Sequence, residues 1–416
     1  EGGVGAMQRQ MEACGKAEVT EPETRGSAIN QYTTYLVQVV LDGETLCARK
    51  RYSDFEWLRA TMISYFPGIP MCPLPRKQTT GRFEAAFIES RRTGLEEFLQ
   101  HVLRRRQLCL DTPLLGLFLR ATTDEAMDSL KKGHEQRSPA SKCAEFKKAF
   151  ASELAAAGQS PDEGRLAACK AFLVAHTTQL RDLTASLKET VDAQRAATRA
   201  IAGVQLRLAK VCEQESEALT GAGVTEQPRN ELAAVLRRQS KALEPCPALH
   251  YDVLLAASER ELLEAESMQE AMDSLETLQK DLFEARTKAG ALDETLTKVR
   301  AGGEIPSTGT GVARMLGIAP QKDREERIQQ MEAELAQKKE EVSALRDLFA
   351  AARSVLVARE IDKFLHKKVA EQKNTKQSFA GLSQKTAEAL ASSWGAARNS
   401  STSLSAMVAG SYQEWD

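Results

Sequence analysis

The sequence predicts two classes in succession: an α+β domain with a three-stranded antiparallel sheet and a helical subdomain, then an all-α three-helix coiled coil that dimerises. Three observations predict this. Residues 32–41 alternate and are rich in β-branched residues, an Asp42-Gly43 turn signal follows, and residues 45–51 read as the returning strand. Composition breaks near residue 121, with Pro, Tyr and Phe clustering more densely before it and Ala, Leu, Glu, Gln, Lys and Arg dominating after it. Helical periodicity then occupies most of the chain beyond Asp162.

A chain of 416 residues is long enough for about two or three domains. With 27% charged and only 5% aromatic residues it favours long exposed helices over one large globule. The formal net charge of -2 supplies no bulk attraction to membrane or nucleic acid, and no nucleic-acid partner is expected. Any basic patch must come from arrangement. Eight cysteines are widely spaced with no C-x-x-C pair, which fits free thiols in a reducing cytosol. The five histidines show no ligand spacing, so neither a metal site nor a cofactor is expected. There is no Gly-rich phosphate loop and no Ser/His or Cys/His constellation, so no catalytic residue is assigned and an enzyme is not expected. Nowhere do 18 apolar residues run together, so association with a bilayer is expected at its surface. Residue 1 is Glu rather than Met, which leaves the natural N-terminus and any targeting segment open.

In chain order, residues 1–17 read as a disordered lead-in, with a short first strand over 16–20 ended by Glu21-Pro22. The hairpin around Asp42-Gly43 follows, and residues 53–66 read as a helix stopped by Pro67-Gly68. A proline-punctuated loop over 66–77 is extended and stiff, because proline fixes φ. Residues 84–104 form an amphipathic helix through Phe87, Ile88, Leu95, Phe98, Leu99 and Val102, and a short helix near 113–119 closes the unit. Residues 122–160 read as a linker. Within it Cys143, Phe146, Phe150 and Leu154 share a helix face flanked by Lys142, Lys147 and Lys148. That pattern suits an interfacial membrane helix and equally a helix packed on a neighbouring domain.

The chemistry concentrates at Arg49-Lys50-Arg51-Tyr52-Ser53-Asp54-Phe55-Glu56-Trp57. Arg51 offers a permanently charged fork of donors suited to phosphate, and Tyr52 a flat apolar face, which together suggest a phosphorylated sugar ring. The run R-Y-S-D-F-E-W-L, then P-L-P-R-K, then F-I-E-S-R-R-T-G-L-E-E-F-L over residues 18–121 resembles the phox-homology (PX) domain of the sorting nexins. Within that family it looks nearest to the sorting nexin four branch. The resemblance implies binding of phosphatidylinositol 3-phosphate, with Arg51 on the 3-phosphate and Tyr52 stacked on the ring. It also implies Lys77 on the 1-phosphate and Arg91 on the 4- and 5-hydroxyls. Three features depart from the family pattern: Lys50 for a frequent arginine, Cys72 for a usual proline, and a short segment over 78–83. Ile69, Met71 and Phe83 are the candidates for insertion beside the headgroup, with Phe146 and Phe150 as candidates in the linker helix. Arg92 reads as a solvated neighbour.

Three long helices are expected over about 164–219 (resuming over 230–243), 248–300 and 322–396, each reaching roughly 80 to 110 Å at ~1.5 Å per residue for the longest. Their narrow apolar seams fit an antiparallel bundle whose exposed length invites dimerisation. The first seam is read through Leu180, Leu183, Leu187, Ile201, Val204, Leu208 and Val211. Placement after a PX domain, with V-L-V-A-R-E-I-D-K-F and Ser393-Trp394, resembles the BAR domain of the same family over residues 161–400. This implies a curvature-sensing or curvature-generating dimer, homotypic or shared with another sorting nexin. Residues 161–400 hold 34 Lys plus Arg and 36 Asp plus Glu, so a basic face requires segregation. Lys363, Lys367, Lys368, Lys373 and Lys376 form the densest cluster, read either as a membrane face or as a solvated coiled-coil surface. Met315, Leu316 and Ile318 fall at an arm tip and read either as ordinary loop packing or disorder or as a trio dipping into lipid, and residues 401–416 read as a flexible tail.

The expected protein is peripheral, moving between cytosol and the cytosolic face of endosomal membranes. Its partners would be phosphatidylinositol 3-phosphate membranes and cargo receptors, in endosomal sorting and recycling and in autophagy. The competing expectation is a coiled-coil scaffold with a PX platform that does not reshape membrane.

Overall fold

The computed structural model of the chain describes residues 15–26, 31–75, 77, 84–135, 137–156, 163–222, 228–243, 249–302 and 324–411. It divides into two compact units: Glu1–Val174 with Leu263–Phe364, and Ala175–Leu262 with Leu365–Asp416.

In the first unit β1 (Gly15–Arg25), β2 (Tyr32–Leu41) and β3 (Glu44–Arg51) form one antiparallel sheet in the order β1-β2-β3. Leu41 pairs with Glu44 across the two-residue turn, and Asp42 and Gly43 have φ of +49° and +81°. Positive φ at both central residues is the backbone that matches strand twist, which is why Asp-Gly closes this hairpin. Alternation then sends Val19, Tyr35, Val37, Val39, Ala48 and Lys50 into the core. Against the sheet lie α1 (Tyr52–Tyr65), α2 (Ala85–Leu103), α3 (Arg106–Cys109) and α4 (Leu114–Arg120). Phe55 meets Phe98 and Phe118 edge-on, at 6.5 and 5.5 Å. Gln100 donates to the Ala17 carbonyl at 2.8 Å, and Arg92 to that of Val19 at 2.6 Å. Arg92 is therefore a tie between α2 and β1, and not the solvated neighbour expected.

Lys50 is a buried cation. Its ammonium donates to the Ala121 carbonyl and sits 4.7 Å from the Phe118 ring centre and 3.7 Å from Met127 Sδ. Burial pulls its pKa down to about 8 from 10.5, against the pull of Asp54. Between these values the unfolded chain holds more protons than the folded one, so stability rises with pH. Urea unfolding from pH 8 to pH 10 is expected to show a gain of about 1–3 kcal/mol that Lys50→Met removes.

Residues 122–160 are structured where described, which corrects the linker reading. They carry α5 (Asp124–Glu135), α6 (Pro139–Ala149) and α7 (Ala151–Ala156). Ser138 caps α6 by accepting from the Ser141 N–H. Phe146 and Phe150 are buried, stacked on each other at 4.9 Å and lying 6.2 and 6.0 Å from Phe66. Neither is presented to a membrane. The apolar face of α6 has found partners in its own chain, the alternative that its amphipathic pattern left open.

The proline loop behaves in the same way. Ile69 and Met71 are almost fully buried, so neither is placed for insertion; Phe83 lies outside the described residues, as do Met315, Leu316 and Ile318. Gly68 adopts φ +78°, donates from its N–H to Ser274 Oγ at 2.9 Å, and comes so close that a Cβ would stand 3.2 Å from the Ala352 carbonyl oxygen. Arg59 fastens the loop by donating to the Cys72 and Met71 carbonyls, and it pairs with Glu270.

The long helices are α8 (Glu163–Gly221), α9 (Pro228–Leu243), α10 (Leu249–Arg300), α11 (Arg324–Val355) and α12 (Ile361–Ser411), with a π-helical turn at Leu356–Glu360 joining the last two. The turn interrupts the third expected helix, and α12 continues through Ser411 into the stretch expected as a flexible tail. In the first unit the buried seam includes Met268, Met272, Leu275, Leu278 and Leu282 of α10 and Leu345, Leu348 and Val355 of α11. In the second unit Leu180, Leu187 and Val191 are buried, whereas Leu183, Ile201, Val204, Leu208 and Val211 are exposed. The seam read for α8 is thus only partly covered by its own chain. No described helix is long and apolar enough to cross a membrane.

Candidate ligand site at the start of α1

The site begins where β3 becomes α1. Arg51 caps the helix with an extended backbone, φ -96° and ψ 161°, and its N–H donates to Asp54 Oδ2 at 3.1 Å. Asp54 stands three residues in and so satisfies one of the free N–H groups at the helix start. The Arg51 guanidinium lies one-third exposed, with Nε 3.5 Å from Asp54 Oδ1 and its carbon 5.9 Å from the Tyr32 ring centre. Partial positive charge from the helix start reinforces it as a place for an anion.

Tyr52 is held by a hydrogen bond of 2.5 Å from its hydroxyl to the Pro75 carbonyl, so the stiff loop orients the ring. On that ring lies Arg91 of α2, with its guanidinium carbon 4.4 Å from the Tyr52 centre and 4.4 Å from that of Phe87. Two aromatic rings grip the guanidinium and leave its edge as the donor surface. Arg91 Nε is shut from solvent without a hydrogen-bond partner. Burial raises the Tyr35 hydroxyl pKa, and Arg91 opposes that rise.

Lys77 is exposed and pairs with Glu56 Oε1 at 2.8 Å; that hydrogen bond raises its pKa. Burial, then Glu56, raises the Tyr52 phenol's pKa, and Arg91, Lys77 and Arg59 oppose that rise. The structure therefore stacks Arg91 on the Tyr52 ring, with Arg51 next to it at the helix start and Lys77 paired with Glu56 one helical turn after Tyr52. Two separated cations flanking an aromatic plate suit a ligand with separated anionic groups on a ring. Phe87 and Asp54 belong to this arrangement without having been assigned to it from the sequence. For Phe87 the signal was present, because residues 87 and 91 are one helical turn apart.

The proposed basic cluster does not form a uniform face. Lys368 is largely buried, bonded to His176 and paired with Glu261 at 2.5 Å. A coiled-coil seam has absorbed it. Lys367 pairs with Glu371 at 3.7 Å, and Lys363, Lys373 and Lys376 are exposed.

The family model of the PX domain matches residues 38–122. Sorting nexin-3 of Aspergillus oryzae is 35% identical over 107 residues, a match that covers 24% of this chain and 75% of that protein. The chain belongs to the sorting nexins. Sorting nexin-12 of Mus musculus is 33% identical over 109 residues, covering 22% of this sorting nexin and 66% of the mouse protein. Beyond the PX domain the likeness is structural. A cryo-EM structure of the SNX-BAR Mvp1 tetramer superposes with a TM-score of 0.55 at 16% identity, covering 91% of this chain and 98% of that one. The three-stranded sheet followed by long helices is thus the fold of a PX and BAR sorting nexin.

Proposed function

We propose that this sorting nexin binds phosphatidylinositol 3-phosphate through Arg51, Tyr52, Lys77 and Arg91 in a PX domain over residues 18–121. A BAR domain over residues 161–400 dimerises, with itself or with another sorting nexin, and senses or imposes curvature on the cytosolic face of endosomes. The protein serves sorting and recycling of cargo receptors, and autophagy draws on the same lipid. It binds and shapes rather than catalyses. Its resemblance to the sorting nexin four branch belongs to this reading.

The observation that carries it is the guanidinium of Arg91 gripped between Phe87 and Tyr52, the latter next in the chain to the Arg51 cation at the start of α1. Dimerisation is supported by the uncovered apolar stretch of α8 through Ile201, Val204, Leu208 and Val211. A dimer presents two headgroup sites, so a weak single site becomes stable attachment. The scaffold reading is favoured by pairing of cations within the second unit, Arg195 with Asp252 at 2.9 Å and Arg237 with Glu213 at 2.7 Å, which withdraws charge from any membrane face.

One liposome experiment tests both. The full chain is expected to float with vesicles containing phosphatidylinositol 3-phosphate and to draw them into tubules, and Arg51→Ala to lose flotation. Flotation retained by Arg51→Ala refutes the site; vesicles bound but never tubulated leave the scaffold.

A further inference from the structure

Asp54 is the best-enclosed anion of the ligand site, and three cations compete for it. Its side chain is 5% exposed. Oδ2 accepts the Arg51 N–H, whereas Oδ1 stands 3.0 Å from Lys131 Nζ and 3.5 Å from Arg51 Nε. The buried Lys50 also feels its charge. Lys131 therefore holds the hydrogen bond at Oδ1, and the nearby Arg51 Nε has no hydrogen-bond partner.

Lys131 reaches Asp54 because α5 is fastened along α1. The Lys50 ammonium holds the Ala121 carbonyl just before the helix, and Thr123 Oγ1 accepts the Ala126 N–H at 3.2 Å. Met127 is buried beside Lys50, and His134 meets Trp57 and Tyr65 with ring centres 5.6 and 5.7 Å apart. Residues 127, 131 and 134 share one face at helical spacing, so fixing the first and third fixes Lys131 between them. Residue 131 lies beyond residue 122, where the PX match ends.

We infer that Lys131 is a positioning residue for the ligand site: by holding Asp54 Oδ1 it limits the existing Arg51–Asp54 ion pair to 3.5 Å and keeps the carboxylate from drawing the guanidinium into a full hydrogen bond. A buried carboxylate deprived of one partner draws in the nearest remaining cation, and here that is the Nε–H of Arg51. Captured there, Arg51 turns its donors away from an incoming phosphate. The helix after the PX domain thus sets how readily the domain takes its ligand.

This rests on the phosphoinositide reading, and calorimetry of the full chain with inositol 1,3-bisphosphate separates the two. Lys131→Met is expected to bind on the order of tenfold more weakly, the size of one charge-assisted hydrogen bond. Lys131→Arg should stay near wild type. Adding Asp54→Asn to Lys131→Met should restore most of the affinity, because a neutral amide keeps an acceptor for the Arg51 N–H and loses its hold on the guanidinium. A purely structural role for Lys131 would not be rescued by a second substitution in the core. Loss in Arg51→Ala with none in Lys131→Met overturns the inference alone, as does a Lys131→Met loss that Asp54→Asn does not recover. Absence of binding by the wild-type chain overturns the phosphoinositide reading and this inference with it.

Discussion

Phe146→Ala is expected to destabilise the first unit by about 3–5 kcal/mol, the cost of emptying a buried aromatic site that collapses only partly. Phe146 is fully buried against Phe66 and Phe150, and Phe66 opens the turn that leads to the buried Ile69 and Met71. Removing the ring loosens α6 and the proline loop together. That loop carries Pro75, whose carbonyl orients Tyr52, so the defect should spread to the ligand site. Hydrogen exchange is the measurement, with faster exchange expected in both Pro139–Ala149 and Tyr52–Tyr65. If Phe146→Ala left unfolding unchanged and instead weakened attachment to vesicles, the membrane-facing reading of this helix would return.

Glu360→Ala should cost as much, about 3–5 kcal/mol, through charge rather than volume. Glu360 closes the π-helical turn and is almost wholly buried, with Oε2 2.9 Å from Arg105 Nη1 and Oε1 3.8 Å from Lys363 Nζ. Alanine there leaves the Arg105 guanidinium without its carboxylate. Arg359, the residue before it, turns instead to Glu153, which also accepts from Gln107 at 2.6 Å. Single π-helical turns are rare within α-helices, and this one ends at the residue that pairs with Arg105. Burial pushes the Glu360 carboxyl pKa up, but Arg105, then Lys363 and Arg359, more than offset it and hold it below its ordinary value of 4.5. A group with a depressed folded pKa stabilises fully above its unfolded value and loses that contribution as pH falls through the folded one. The difference in urea midpoint between wild type and Glu360→Ala is therefore expected to shrink as pH falls below about 4.5.

Within the proposed ligand site, Arg51 and Tyr52 stood out by their own chemistry, a guanidinium fork beside a flat ring, whereas Lys77 and Arg91 were indicated by the resemblance to PX domains. Phe87 was half-legible, one turn before Arg91. Lys131 was not: it lies in a polar helix, nine residues beyond the PX match, and nothing local indicates that its ammonium meets Asp54 across 77 positions of sequence.

By itself the sequence determined the kinds of element and their order. Alternation over Tyr32–Leu41 and the Asp42-Gly43 turn dictate a hairpin, and repeats every three or four residues dictate helices broken near Gly221, Pro245 and Gly302. Only the tertiary structure decided which apolar and charged faces are covered. Phe146 and Ile69 are enclosed, Val204 is bare, Lys368 is enclosed, and Lys373 lies open. An amphipathic pattern records that a face avoids water; whether protein or lipid covers it depends on long-range packing that no local periodicity encodes.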